Sequence, residues 1–328
     1  MTRRCSFEYA RSTEGGTSII KKLVSTADMT RAEWLQWRTC GIGGSDASII
    51  AGVNAYTSIY QLWQFKTGQK ELKEAENEYT HFGTILEPII KQEFTRRTGL
   101  KVRNRRAIYQ SDEYPFMIAD LDGVVNDHGE MCVFEAKTAS AYKLEVWEKG
   151  VPLEYLYQIQ HYLAVTGWKR AYIAALIGGN HFIYHVIERD ETMISEIIAM
   201  EKRFWEGHVL PKIEPPMDGS EATREFLNET YAQAASTVIE LPKETLELCK
   251  AYDDLSRQIE ALKEHKEAVT NQMKFYLGEN EIGVVGDREI TWKNVTTTNF
   301  DRKRLAKEHQ ELYEKYCTQS QYRRFQVA

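Results

Sequence analysis

Three residues in the middle of the chain have the types and spacing of a hydrolytic centre. Asp122 ends one apolar segment and precedes Gly123, and Glu135 and Lys137 share the next apolar segment. Because side chains alternate along a strand, residues 135 and 137 face one side and Ala136 faces the other. If the two segments pair as a hairpin, Asp122 comes close to Glu135.

Two neighbouring carboxylates repel each other unless a cation neutralises them, and a hard divalent ion bound by carboxylates and a backbone carbonyl does so. Such an ion stabilises negative charge on a phosphate oxygen, and a lysine beside it orients the attacking water and lowers its pKa. The pattern therefore indicates metal-dependent phosphodiester hydrolysis. The alternative is a solvated strand pair with a salt bridge. The apolar residues of both segments argue against it, because acids in a buried sheet need a reason to be there.

The elements around this centre predict an α/β sandwich. Helices are predicted from Arg31 onward and at 60–67, 81–98, 151–165 and 192–207, and strands at 100–108, 116–125, 131–137, 170–177 and 181–188. The order helix, three strands, helix, two strands, helix favours a central mixed sheet flanked by helices.

A stretch rich in Pro, Asp, Gly and Ser after residue 210 predicts a linker. Beyond it, residues 242–277 predict a long helix with a coiled-coil-like seam interrupted by Lys266, followed by a hairpin about Gly286 and Asp287 and a final short strand. We therefore divide the chain into a flexible N-terminal arm (1–28), a main domain (29–212), a linker (213–240) and a C-terminal appendage of helix, hairpin and tail (241–328).

The composition is that of an ordinary globular protein, with 328 residues, 42% hydrophobic and 27% charged. No apolar run is long enough to predict a membrane span, and the first residues lack the apolar segment of a secretory signal. The five cysteines are far apart and form no metal-ligand set. We expect reduced thiols in a cytoplasmic protein.

The net charge of −6 hides a local asymmetry. The stretch RRTGLKVRNRR at residues 96–106 carries six basic residues and no acidic one, just after a mostly acidic stretch at 71–78. A local basic patch can hold phosphates whatever the total charge of the protein. The alternative is a solvated loop and strand edge.

Four ordered blocks resemble the YqaJ-type phage recombination exonucleases, relatives of the lambda exonuclease in the PD-(D/E)xK nuclease superfamily. The blocks lie at residues 37–63 (with GIGGSDA), 81–88 (HFGTILEP), 119–138 (ADLDG and FEAKT) and 155–167 (YLYQIQHYLAVTG). The resemblance covers roughly residues 30–210 and implies a restriction-endonuclease-like core. The tail beyond the linker has no counterpart in the lambda enzyme, although it is similar to tails of other YqaJ-type proteins.

The resemblance also implies roles for individual residues. Metal ligands would be Asp122, Glu135 and the carbonyl of Ala136, with Glu87 as an acid that reaches the same site from a helix. Lys137 would be the catalytic lysine, and Gln158 would position the reacting group, with Gln160 as a less certain second candidate. Arg38 and Ser45 would hold the 5′-terminal phosphate, and a glycine turn at a helix start with Ser and Arg beside it suits an anion.

Simpler interpretations remain open for several of these positions. Glu87 before Pro88 has the place of a first-turn helix acid. Gln158 and Gln160 have the places of solvated helix residues, and Ser45 has the place of a helix N-cap, as does Asp46.

Two further sets of polar residues bear on the site. Asp120 shares a face with Asp122 on a regular strand and can contribute to the site, although the resemblance favours Asp122. His81, His128 and His161 show no ligand spacing and are expected as solvated or packing residues.

The function implied is 5′→3′ exonuclease action on double-stranded DNA ends with Mg²⁺, for which Mn²⁺ is a substitute. The resemblance further implies processive digestion by a ring-shaped trimer, and a phage or prophage setting in which a single-strand annealing protein receives the remaining strand. The alternatives are a structure- or sequence-specific endonuclease on the same scaffold and a non-catalytic DNA-binding or assembly module. A tail that recruits a protein partner is a further alternative.

Overall fold

A computed structural model describes residues 21–70 and 78–327 of the chain. The chain divides into two compact units, with the boundary between Thr230 and Tyr231. Within the two described ranges, no helix is both long and apolar enough to cross a membrane.

The first unit contains two sheets and most of the helices. Its helices are α1 (Arg31–Arg38), α2 (Gly44–Ile50), α3 (Ile59–Lys66), α4 (Glu78–Thr98), α5 (Leu144–Lys149), α6 (Leu153–Thr166), α7 (Glu191–Phe204) and α8 (Glu221–Thr230). Its strands are β1 (Lys21–Ser25), β2 (Val102–Arg103), β3 (Ala107–Gln110), β4 (Ile118–Asp120), β5 (Gly123–Asp127), β6 (Glu130–Ala139), β7 (Arg170–Ile177) and β8 (His181–Glu188).

The larger sheet has five strands in the order β2-β5-β6-β7-β8. β6 and β7 run parallel and the other neighbours run antiparallel, so the predicted mixed sheet is confirmed. A smaller antiparallel sheet has the order β1-β3-β4. The chain passes from the small sheet to the large one between Asp120 and Gly123, which divides the single strand predicted at 116–125.

Helices cover both faces of the five-stranded sheet. α4 packs on one face, where the rings of Phe94 and Phe134 meet edge to face with centroids 5.0 Å apart. α6 packs on the other face, where Val133 and Ile173 join the larger core cluster, and α7 packs against α6. Since Phe134 and Val133 face opposite sides, β6 shows the predicted alternation, which places Glu135 on the α6 side.

Two stretches differ from the division predicted from sequence. Of the arm predicted at 1–28, residues 1–20 lie outside the described range, and β1 pairs with β3 within the rest. The linker predicted at 213–240 contains α8, whose Phe226 is buried with its ring 5.5 Å from that of Tyr60. A short amphipathic helix is hard to predict because its apolar face has only two or three residues.

The second unit begins with the predicted long helix and hairpin region. It contains α9 (Thr245–Leu277), β9 (Ile282–Val285), β10 (Arg288–Thr291), α10 (Arg302–Glu308) and α11 (Gln310–Tyr316). The side chains of the seam on α9 are exposed, with Leu255 at 57% and Ile259 at 51%. The final strand was predicted at residues 322–328; residues 322–327 form no strand, and Ala328 lies outside the described range. The two short helices before them were not predicted.

The cysteines correct one expectation. Cys40 is disulfide-bonded, whereas Cys132, Cys249 and Cys317 are free. A disulfide depends on how close two sulfurs lie in space, which the spacing of cysteines along the chain does not show.

Candidate active site

The junction between β4 and β5 brings Asp122 beside Glu135. Gly123 pairs with Phe134, so the residues flanking this pair, Asp122 and Glu135, also lie next to each other. The Oδ2 atom of Asp122 accepts a hydrogen bond of 2.9 Å from the backbone N–H of Ala136. The two apolar segments therefore pair as predicted, and their acids meet where the two sheets join.

Glu135 is buried and short of positive charge. Its Oε1 atom accepts hydrogen bonds of 2.7 Å from Lys137 Nζ and from Gln158 Nε2. Its Oε2 atom is buried and has no hydrogen-bond partner among the described residues. Burial, and next the negative charge of Asp122, raise the pKa of Glu135 to about 8. A cation at this position would relieve both the repulsion and the lack of a partner.

Lys137 and Gln158 complete this cluster. Lys137 Nζ donates to Gln158 Oε1 at 3.0 Å and lies 5.0 Å from the centre of the Tyr155 ring. Burial disfavours the ammonium, but the charges of Glu135 and Asp122 outweigh it, and the pKa of Lys137 is raised. The lysine therefore stays protonated, so it can donate hydrogen bonds and stabilise negative charge but cannot act as a base.

Glu87 reaches the same cleft from α4 and forms an ion pair there. Its Oε1 atom is bound by Lys91 one helical turn later. Lys91 Nζ also donates to the backbone carbonyl of Asp122 at 2.6 Å and to Asn104 Oδ1 at 2.9 Å. Glu87 is thus neutralised by a lysine that holds the Asp122 backbone.

Asp120 lines the cleft as well, and its partner is an indole. Trp34 Nε1 donates to Asp120 Oδ2 at 2.6 Å. Burial raises the pKa of Asp120, and the hydrogen bond from Trp34 opposes that change. Asp120 is therefore near the acids of the catalytic cluster but is held by α1.

Arg38 and Ser45, 7 residues apart in the sequence, meet beside the glycine turn at residues 41–44. Arg38 donates through one terminal nitrogen to Ser45 Oγ at 2.8 Å and to Asp46 Oδ1 at 2.7 Å. The N-cap of α2 is Gly43, so neither Ser45 nor Asp46 is the cap that the sequence predicts. Asp46 lies three residues into the helix, where it accepts the Gly43 N–H at 2.7 Å. A carboxylate at that position satisfies the first free N–H of the helix.

A buried ion pair fixes this turn from behind. Lys66 Nζ donates to Asp46 Oδ2 and to the carbonyls of Arg38 and Gly41, each at 2.6 Å. Burial lowers the pKa of Lys66 to about 8, and Asp46 opposes that change. For Asp46, burial is outweighed by Lys66 and Arg38, and its pKa is lowered.

Gly44 allows the turn to lie directly against α6. A Cβ atom added there would lie 2.5 Å from a ring carbon of Tyr162 and 3.0 Å from Cγ of Gln158. Tyr162 in turn accepts a hydrogen bond of 2.9 Å from Gln158 Nε2. Gly43 and Gly44 of the turn line one cleft of about 420 Å³ together with Asp122, Glu135 and Gln158.

The donor atoms in the cleft suit a hard cation. Within the described ranges, no group of three or more His, Cys, Asp and Glu side chains is arranged to hold a metal ion. A cation would thus be held by Asp122, Glu135, the carbonyl of Ala136 and water, which are oxygen donors of the kind Mg²⁺ and Mn²⁺ prefer. The unpartnered Oε2 atom of Glu135 fits such an ion.

Other candidate residues lie outside the cleft. Gln160 donates to the carbonyl of Glu188 and accepts from the N–H of Asp190, so it fixes the connection between β8 and α7. His161 is buried between Glu201 and the carbonyl of Ile118, which is a packing role. His128 lies in the predicted turn with a φ of 50°.

Several residues that shape the cleft were not predicted from the sequence. Trp34, Lys66, Lys91 and Tyr162 each contact a predicted site residue or its neighbour. Lys91 lies four residues after Glu87, a spacing at which helical side chains meet, so that pair had a visible signal. Lys66 is 20 residues from Asp46, and no local pattern connects them.

The chain is similar to known proteins in both sequence and structure. Residues 33–169 match the YqaJ-like viral recombinase domain. The uncharacterised protein YqaJ of Bacillus subtilis (strain 168) is 39% identical over 309 residues, which cover 93% of this chain and 96% of the relative. An alkaline exonuclease (LHK-Exo) from Laribacter hongkongensis has a TM-score of 0.47 at 21% identity, over 61% of this chain and 98% of that structure. A phage-related exonuclease from Haemophilus somnus 129PT has a TM-score of 0.40 at 15% identity, over 51% and 94% of the two chains.

Proposed function

This chain belongs to the YqaJ-like viral recombinase family, and on that premise we propose that it is a Mg²⁺-dependent 5′→3′ exonuclease of linear double-stranded DNA. The observation that carries the proposal is the buried, unpartnered Oε2 atom of Glu135 beside Asp122. Lys137 and Gln158 bind the same carboxylate. The mixed sheet that holds these residues is, in this proposal, a restriction-endonuclease-like core.

The chemistry of the proposal follows from the protonation states in the cleft. Mg²⁺ held by Asp122, Glu135 and the carbonyl of Ala136 would supply Lewis-acid stabilisation of negative charge on the phosphate. Lys137, which stays protonated, donates to the attacking water and lowers its pKa. Gln158 restrains both Lys137 and Glu135 through the two ends of one amide, so a water held between them has a fixed direction of attack.

The 5′ polarity of the proposal is supported by the turn at residues 41–44. Arg38 and Ser45 meet there, and the turn shares its cleft with Asp122 and Glu135. A guanidinium and a hydroxyl can bind a terminal phosphate while the adjacent diester lies at the acids. On the family resemblance alone, the proposal extends to a trimeric ring, processive digestion, and transfer of the single strand to an annealing protein.

The test is digestion of a linear duplex labelled at one 5′ end, with Mg²⁺ and with a chelator in its place. We expect release of the 5′ label only in Mg²⁺, and none for Glu135→Gln. A closed circular duplex of the same sequence is the matched substrate, because an exonuclease requires an end. Cleavage of the circle would establish an endonuclease, and no cleavage of either substrate in Mg²⁺ or Mn²⁺ would establish a non-catalytic module.

A further inference from the structure

An exposed basic loop borders the cleft and has no part in the chemistry proposed above. This loop, residues 101–106, contains β2 and leads into β3. Its basic side chains are Lys101, Arg103, Arg105 and Arg106, and all four are exposed. None of the four forms an ion pair with another residue in the described part of the chain, although ion pairs are present on the helix just before the loop.

The other two basic residues of the stretch at 96–106 form ion pairs with an acid of the protein itself. Arg96 and Arg97, in the last turn of α4, bind Glu93 at 2.7 Å and 2.6 Å. Hydrogen bonds from Arg96 and then Arg97 lower the pKa of Glu93 to about 2. Of the six basic residues at 96–106, two therefore share an internal counter-charge, and the four in the basic loop have none among the described residues.

Hydrogen bonds fix the basic loop to the catalytic cluster. Asn104 Oδ1 accepts a hydrogen bond of 2.9 Å from Lys91, the same ammonium that donates to the Asp122 carbonyl. On its other side, the carbonyl of Arg106 accepts the N–H of Thr26 at 3.0 Å. The loop is thus anchored at Asn104 and Arg106, and Lys91 connects Asn104 to the backbone of Asp122.

The cleft needs such charges if a polyanion is to enter it. Four acids line it, namely Glu87, Asp120, Asp122 and Glu135; Glu87 is paired with Lys91, whereas Asp120 and Asp122 repel a phosphodiester chain. Among the cations that line it, Lys91 is bound to Glu87 and Arg38 to Asp46. Arg105 and Arg106 also line the cleft, and they have no acidic partner among the described residues.

We propose that the basic loop is a clamp that binds the sugar–phosphate backbone of duplex DNA next to the scissile bond. The proposal rests on the proposed DNA substrate and adds where the protein grips it. Contacts with phosphates position a nucleic acid without reading its sequence, which suits an enzyme that must digest any sequence it meets. Arg96 and Arg97, already bound to Glu93, are outside the clamp.

The experiment compares two double variants that each remove two positive charges from this stretch. Arg105→Gln/Arg106→Gln alters the clamp, and Arg96→Gln/Arg97→Gln is the matched control. Binding of a fluorescent 5′-phosphorylated duplex is measured by anisotropy in a chelator, where no cleavage occurs, across a series of KCl concentrations. Each phosphate contact contributes about 0.9 to the slope of log K against log salt. We expect the slope to fall by about 1.8 for the clamp variant and to stay unchanged for the control.

Kinetics separate the clamp from a structural effect. In Mg²⁺, the clamp variant should raise KM on the order of tenfold at moderate salt, keep most of kcat, and melt at the temperature of the unmodified protein. Equal slope changes in the two variants would mean that only net charge matters and would overturn the clamp, while digestion by the unmodified protein still upheld the proposed function. If the unmodified protein bound no duplex at all, the clamp and the proposed function would both fall.

Discussion

Each of the two walls of the cleft contains a buried carboxylate, and the surrounding charges shift the pKa values of these two carboxylates in opposite directions. On one wall, Asp46 is matched by Lys66 and Arg38, and its pKa is lowered despite burial. On the other wall, burial and the nearby Asp122 raise the pKa of Glu135 to about 8 even though Lys137 binds it. The balanced acid, Asp46, is part of the scaffold, whereas the unbalanced acid, Glu135, has surroundings that suit a bound cation. Burial alone therefore does not identify a functional acid, whereas burial with unmatched charge does.

The largest effect should come from neutralising the unbalanced acid. Glu135→Gln keeps the hydrogen bonds but removes the charge, so we expect cleavage to fall by at least about a thousand-fold. Because a group with a pKa of about 8 is mostly protonated at neutral pH, the free energy of unfolding at pH 7 should not fall. Single-turnover rates and urea denaturation measure the two quantities. Near-normal cleavage by the variant would remove Glu135 from the site.

Neutralising the balanced acid, Asp46, should instead lower the stability of the protein. Asp46→Asn leaves Lys66 buried without a counter-charge, which costs about 3–5 kcal/mol of stability when a buried pair is broken. Urea denaturation at pH 7 measures the loss, with Glu221→Gln as a control, because Glu221 and Arg224 form an exposed pair that contributes little. If Asp46→Asn lost as little stability as the control, the buried pair would not stabilise the wall that contains Asp46.

Recognition of the DNA end should depend on the wall that contains Asp46, because Arg38 lies there. A charge-assisted contact is worth about 1.5–3 kcal/mol, so a duplex with a 5′-phosphate should be digested roughly ten- to a hundred-fold faster than one with a 5′-hydroxyl. Arg38→Ala should narrow that gap by slowing the phosphorylated substrate. Initial rates on blunt duplexes at fixed salt test this. Arg31→Ala is the control, because Arg31 stacks on the same Trp34 ring. Equal rates on the two ends for the unmodified protein would leave the turn with no role in recognising the end.

The smallest predicted effect is a pH dependence of metal binding. With a pKa of about 8, Glu135 holds a proton at pH 7 in the metal-free protein, and Mg²⁺ must displace it. The affinity should therefore rise with pH and level off above about 8, being about tenfold weaker at pH 7 than at pH 9. Calorimetry in two buffers of different ionisation enthalpy also counts the released protons. We expect close to one released proton for each bound Mg²⁺ at pH 7, almost none at pH 9, and none from Glu135→Gln. An affinity for Mg²⁺ that does not change with pH would contradict the raised pKa of Glu135.

The two walls also differ in how far the sequence predicted them. Asp122 directly precedes β5, and Glu135 and Lys137 lie on β6, which pairs with β5 across a short turn, so strand alternation and the predicted hairpin were enough to place the three together. Alternation also predicted β7 and β8 with their observed limits. The pairing of Lys66 with Asp46 depends on how α2 and α3 pack together, and packing between helices leaves no periodic signal.

Larger differences arose where an element is short or changes partner. The strand predicted at 116–125 is divided because the chain leaves one sheet for another at Leu121 and Asp122, and both halves are equally apolar. α8 and the short helices α10 and α11 have too few turns to show a clear helical period. Asp120 was the open question of the site, and Trp34, far away in the sequence, determines its surroundings.

The close contact at Gly44 makes this a position where a substitution can change how the turn packs on α6. A Cβ atom added there would lie 2.5 Å from a carbon of the Tyr162 ring, so either the turn that carries Ser45 or the ring itself would have to move. If the turn binds the DNA end as proposed, a substitution at Gly44 should weaken that binding while Asp122, Glu135 and Lys137 are all still present. For the same reason, we expect glycine to be the only residue that this turn accepts without a shift of its neighbours.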